Sequence, residues 1–99
     1  MSFLTTHPEF LVSAAGDLQN VGAAVAAGNA AAAAPTTGVI PAAADEVSAL
    51  TAAQFAALAA QYQTLSAQAV AIHELFVHTL GVSAGSYGVT EAANAVAAR

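Results

Sequence analysis

Residues 45–80 read DEVSALTAAQFAALAAQYQTLSAQAVAIHELFVHTL, and their apolar line, Val47, Phe55, Leu58, Tyr62, Leu65, Ala69, Ile72, Phe76 and Leu80, recurs with the period of a helix. Asp45 stands where its carboxylate can cap the amides of Val47 or Ser48. On a wheel of about 100° per residue, Leu58, Leu65, Ile72 and Phe76 centre one face. Leu50 and Leu75 lie far to one side of it, and Val70 and Val77 far to the other. A single neighbouring helix does not cover so wide an apolar arc, so the segment is predicted to be a helix buried on more than one side.

Upstream of it, Pro35-Thr36-Thr37-Gly38-Val39-Ile40-Pro41 ends whatever precedes and forbids one continuous helix. A connection this short makes the flanking helices antiparallel neighbours. The first helix has a clear start. Pro8 suits the first helical position, Glu9 complements the positive end of the helix dipole, and Thr6 or His7 is the expected cap. From there Leu11, Leu18, Val25 and Ala32 recur every seven residues, with Ala14, Val21 and Gly28 as the second series. Asn29 falls on the same face as Leu11 and Val25. It is expected to be wet, near the turn, although a polar group at such a position can also fix register.

Beyond Leu80 the segment Gly81-Val-Ser-Ala-Gly-Ser-Tyr-Gly88 has three glycines in eight positions, which predicts the end of the helix and a poorly ordered Ala-rich tail. The predicted organisation is therefore a lead over 1–7, a hairpin over 8–80 (helix 1 at 8–34, turn at 35–44, helix 2 at 45–80) and a tail over 81–99. At 99 residues such a hairpin has no third layer to cover its outer faces. It has no Cys either, so no disulfide can stabilise it and no thiolate can hold a metal. Association with further helices is what remains.

Charge narrows the partners. There are six acidic residues against a single Arg99, and no Lys, which excludes nucleic acid and anionic membrane surfaces as expected ligands. Nothing near Met1 to Phe10 resembles a secretory signal peptide. The uncharged runs Leu18 to Ala44 and Val47 to His73 are broken by Asn, Gln and Pro and are mostly Ala, unlike the strongly apolar span a membrane helix needs.

Two motif matches fail on context. Gly81-Val82-Ser83-Ala84-Gly85 fits the nucleophile elbow G-x-S-x-G, but it follows a helix and no His lies after Ser83 to serve as base. His73-Glu74-Leu75-Phe76-Val77-His78 is one residue too long for H-E-x-x-H, which puts its imidazoles about 140° apart on a helix. No catalytic residue, metal site or cofactor is expected.

Taken in order, the Pro8-Glu9 pair, the Ala-rich hairpin, the Pro-Thr-Thr and Pro-Ala-Ala-Ala-Asp turn segments and Tyr87-Gly-Val-Thr-Glu91 resemble the N-terminal domain of the mycobacterial PE proteins over essentially the whole chain. The resemblance implies an all-α fold, an antiparallel two-helix hairpin that completes a four-helix bundle with two helices of a PPE protein. It implies an EspG-type chaperone bound through that PPE partner in the cytoplasm, and export of the folded pair by a type VII (ESX) secretion system to the medium or the cell surface. The opening and the glycine-rich stretch look most like members routed through the fifth ESX system. Tyr87 and Glu91 match the Y-x-x-x-[DE] secretion motif, and Pro8 and Glu9 the family's name-giving pair. Tyr87 and Glu91 are expected to lie off the bundle, open to a receptor. The partner interface is expected at Leu11, Leu18, Val21, Val25, Leu50, Phe55, Leu58, Tyr62, Leu65, Ile72, Leu75, Phe76 and Leu80. Two alternatives stand beside it: a homodimeric hairpin of the W-x-G secreted type, disfavoured because the chain has no Trp, and a small hydrolase built on Ser83.

Overall fold

The computed structural model describes residues 4–99, which form two α-helices, α1 (Pro8–Thr37) and α2 (Glu46–Ala97), joined by an irregular connection, with no strand among the described residues. The two helices are arranged as two compact units, each made of a stretch of α1 packed on a stretch of α2.

In the unit Gly22–Ile72, the α2 residues turned toward α1 are Ala52, Ala56, Ala59, Gln63, Ser66 and Val70. They recur four and three residues apart, a heptad seam of small and polar side chains. Across from them lie Gly22, Asn29 and Ala32 of α1. Hydrogen bonds prove the register: Asn29 Nδ2 donates to Ser66 Oγ at 3.2 Å and Gln63 Nε2 to the Asn29 carbonyl at 3.0 Å. The seam is thus not the line of Leu58, Leu65 and Ile72. Small residues let the two backbones approach closely and keep many dispersion contacts per residue, whereas a leucine at each position would hold the helices apart.

The unit formed by 4–21 with His73–Arg99 continues the same pattern. Ala15, Val77 and Ala84 are buried in it, and Leu11, Leu18, His73, Leu80, Gly88 and Glu91 are half-buried around them. His73 Nε2–H donates to the Leu18 carbonyl at 2.7 Å, which fixes that tautomer because a carbonyl can only accept. On α1 the second heptad series is accordingly Ala15, Gly22 and Asn29, one residue on from the expected Ala14, Val21 and Gly28, all three of which are exposed. Among the described residues nothing larger than valine is fully enclosed.

Both helices outrun their expected ends. Helix 1 was expected to stop at 34, yet α1 passes Pro35 and reaches Thr37. A proline in the last turn forfeits only one backbone bond, and the hydroxyls of Thr36 and Thr37 donate to the carbonyls of Ala32 and Ala33 at 2.6 and 2.7 Å. The Gly38 amide then closes the end on the Ala34 carbonyl. Helix 2 was expected to break after Leu80, yet α2 continues through Gly81, Gly85 and Gly88 to Ala97. Each helical glycine costs roughly 1 kcal/mol against alanine, but the seam continues through them, with Ala84 buried and Gly88 lying against Pro8, and packing outweighs propensity. The start of α2 follows the expected cap: Asp45 Oδ1 accepts from the Ser48 amide and Oδ2 from its hydroxyl, both at 2.8 Å.

By length and composition α1 is long and apolar enough to cross a membrane. Its partners in the structure are polar groups of α2, through the Leu18 carbonyl and Asn29.

Candidate partner-binding face

A helix with one heptad seam facing its neighbour has further positions beside that seam, and on α2 these are the large ones. In the unit Gly22–Ile72, Phe55, Leu58, Tyr62, Leu65, Ala69 and Ile72 recur three and four residues apart, a second stripe parallel to the alanine seam. Its five large members are between 52% and 69% exposed. Folding of the hairpin therefore leaves the strongest apolar line of the chain uncovered, about 100° or less around the helix from the seam, which is the angle at which a four-helix bundle presents each helix to its second neighbour.

The side of α1 next to this stripe is shallow. Ala32, Pro35 and Thr36 face Phe55, Leu58 and Tyr62 across an open groove of about 510 Å³. Tyr62 bridges it where its hydroxyl donates to Asn29 Oδ1 at 2.7 Å. Asn29, expected to be wet, is instead the centre of a network with Tyr62, Gln63 and Ser66. In this arrangement the tyrosine adds its ring to the apolar stripe while its polar end is satisfied within the hairpin.

The other expected interface residues divide by position. Val25 is half-exposed in the same unit, and Leu50 is exposed on a side of α2 turned away from α1. In the unit of 4–21 and His73–Arg99, Leu11, Leu18 and Leu80 are half-buried in the seam with the opposite helix. Val21 and Phe76 are exposed. Leu75 begins an outward-facing apolar series continued by Val82, Val89 and Val96, all exposed. That series replaces Gln54, Gln61 and Gln68, which hold the same heptad position earlier in α2.

Pro8 is the first residue of α1, and the Phe10 amide donates to the His7 carbonyl at the helix entrance. Glu9 is exposed; its own backbone amide and the His7 ring, 3.1 Å away, hold its carboxyl below the ordinary carboxylate range. Tyr87, expected beyond a break in the helix, is inside α2 and 48% exposed. Glu91 departs further from expectation. It is half-buried, and one carboxylate oxygen accepts from both the amide and the hydroxyl of Thr6, each at 3.0 Å.

Ser83 lies within α2, preceded by helix, so its pentapeptide has none of the strand-to-turn geometry that exposes a nucleophile. Among the described residues no three His, Asp or Glu side chains come together as a metal site would require. The sequence reading took Thr6 only as a candidate cap and missed its bonds to Glu91, and it missed Gln63, Ser66 and His73 as seam residues. The signal that could have found the last three is the 4-3 recurrence of small and polar residues from Ala52 to Ser66, continued by His73, which a search for large apolar side chains passes over.

Residues 4–94 match the PE family. The chain is 65% identical over 98 residues to PE family protein PE13 of Mycobacterium tuberculosis, the match covering 99% of each chain. It is 62% identical over 98 residues to PE family protein PE8 of the same species, covering 99% of this chain and 36% of that protein. A PE-PGRS family protein of that species, PE_PGRS34, is 55% identical over 97 residues, 98% of this chain and 19% of its own length.

Proposed function

The chain belongs to the mycobacterial PE family, and from that premise we propose that it is a non-enzymatic subunit that pairs obligately with a PPE protein and leaves the cell as a folded pair through a type VII (ESX) system, the fifth. The observation that carries the pairing is the second stripe on α2, Phe55 to Ile72, large, continuous and uncovered. Its occupant is a pair of helices from the partner, because helices at heptad spacing are the surfaces that interdigitate with such a stripe. Obligate pairs of this kind bury roughly 2,000 Å² or more, and the groove beside Tyr62 supplies the concavity into which a partner side chain inserts. Before export an EspG-type chaperone holds the PPE subunit in the cytoplasm. Tyr87 and Glu91 form the secretion motif, and the pair reaches the medium or the cell surface.

Co-expression with candidate PPE proteins tests the pairing. Size-exclusion mass should match one copy of each chain, and this chain alone should be aggregated or only partly helical. Leu65→Glu and Ile72→Glu place a charge in the covered face and should abolish co-purification; Asn20→Ala and Glu9→Gln, at exposed positions of α1, should leave it intact. Equal yields for the two sets, or a stable homodimer of this chain alone, would refute the assignment.

A further inference from the structure

The two ends of the described chain meet. Thr6, two residues before α1, donates its backbone N–H and its hydroxyl to the same Glu91 oxygen, 85 residues later in sequence. One turn earlier on α2, the position of a Cβ on Gly88 is 4.0 Å from Pro8 Cβ, an ordinary van der Waals contact. The residues on either side of these contacts are the ones the sequence singled out. Pro8 opens α1, and Tyr87 precedes Gly88.

Glu91 is thus already engaged, inside the chain, by two donors. A carboxylate that accepts two hydrogen bonds from its own fold is a poor ionic handle for a receptor, and releasing it forfeits both. Tyr87 lies one turn away on the same helix, with close to half its surface open. Resting on the export reading above, we propose that Glu91 is a latch rather than a contact. Its carboxylate fastens the amino-terminal lead onto the last third of α2, this docking holds the helix across Gly81, Gly85 and Gly88, and Tyr87 is the group presented to the secretion machinery. The acid is a positioning residue, and Thr6 is its partner in the signal.

Charge and hydrogen bonding separate at this site, which makes the latch testable. Glu91→Gln keeps an oxygen that accepts from Thr6 but removes the charge. Glu91→Ala removes the acceptor while favouring helix. Thr6→Pro deletes both donors, the amide and the hydroxyl, without touching the motif, and Thr6→Val deletes only the hydroxyl. Each variant is expressed in a mycobacterial host, purified with whatever it carries, and followed by hydrogen exchange of the amino-terminal peptide and by culture-filtrate blot.

The latch requires that Glu91→Gln be exported within about twofold of wild type. Glu91→Ala should speed exchange at Thr6 roughly tenfold, the weight of a charge-assisted bond, and lose export; Thr6→Pro should lose export too, and Thr6→Val fall between. Loss of export in Glu91→Gln with Thr6 still protected would mean a receptor reads the charge, and the proposal fails. Normal export of Thr6→Pro, or exchange at Thr6 in the wild type as fast as in Glu91→Ala, overturns it equally. Tyr87→Ala marks the other failure: its normal export would remove the motif from secretion, while the exchange data on Thr6 would stand by themselves.

Discussion

Leu65 and Val77 are both apolar residues of α2, and truncating each to alanine should have opposite consequences. Leu65 is 63% exposed and Val77 is 9% exposed. Burying a leucine fully is worth about 1.5–3 kcal/mol, so with nearly two thirds of its surface still open, a partner that covers Leu65 gains roughly 1–2 kcal/mol from it. Leu65→Ala should therefore raise the dissociation constant of the proposed PPE complex about 5- to 30-fold. The hairpin itself loses little, because the fraction already buried is small and alanine is the better helix former by a few tenths of a kcal/mol.

Val77→Ala removes two methyl groups from the seam with α1, at about 0.8 kcal/mol each, plus a residual cavity and minus a gain in helix propensity. The net loss of about 1–2 kcal/mol falls on the hairpin and should appear in this chain with or without a partner. The assays are far-UV circular dichroism of the chain alone at low concentration and dissociation of the co-expressed pair on dilution. Helicity of the isolated chain should be unchanged or higher in Leu65→Ala and lower in Val77→Ala. If Leu65→Ala weakens the hairpin as much as Val77→Ala, or leaves partner affinity within twofold, the division of α2 into a folding seam and a docking stripe is wrong.

The Asn29 network should behave as one unit: Asn29→Ala and Tyr62→Phe each remove the 2.7 Å bond, so thermal melts of a double-mutant cycle should show a coupling of about 0.5–1.5 kcal/mol, and additive effects would mean the bond contributes nothing to stability. The Asp45 cap should be acid-sensitive. Hydrogen bonds from the Ser48 amide and hydroxyl hold the Asp45 carboxyl below its ordinary range, so its stabilisation is present above the unfolded value of about 3.9 and lost as pH falls through the folded one. Asp45→Asn keeps a capping oxygen and removes that titration; the difference in melting midpoint between it and wild type should shrink as pH is lowered below about 4, and a constant difference would contradict the cap.

The parts of the fold that were legible in the sequence are those decided by a local interaction. Pro8 opens α1 because its fixed φ and missing N–H cost nothing in the first turn, and Asp45 starts α2 because its carboxylate reaches the Ser48 amide. The parts that were not legible are those decided across the hairpin. Pro35 and the glycines at 81, 85 and 88 carry real local penalties, and α1 and α2 pass them because the threonine hydroxyls in one case and the seam against the opposite helix in the other offset the cost.

The face of α2 that meets α1 was hidden for a different reason. Large apolar side chains dominate any hydrophobic pattern, so the stripe of Phe55, Leu58, Leu65 and Ile72 stands out in the sequence, while Ala52, Ala56, Ala59 and Ser66 register as background. The hairpin closes on that background. Close approach of small residues, pinned by Asn29 and His73, is enough to align two helices but leaves nothing larger than valine enclosed among the described residues, and so leaves most of the apolar surface of α2 for another chain. Glu91 could likewise be mistaken for a free acid. Its carboxylate accepts two hydrogen bonds from Thr6, 85 residues away in sequence, a pairing that no local pattern around Tyr87 and Glu91 announces.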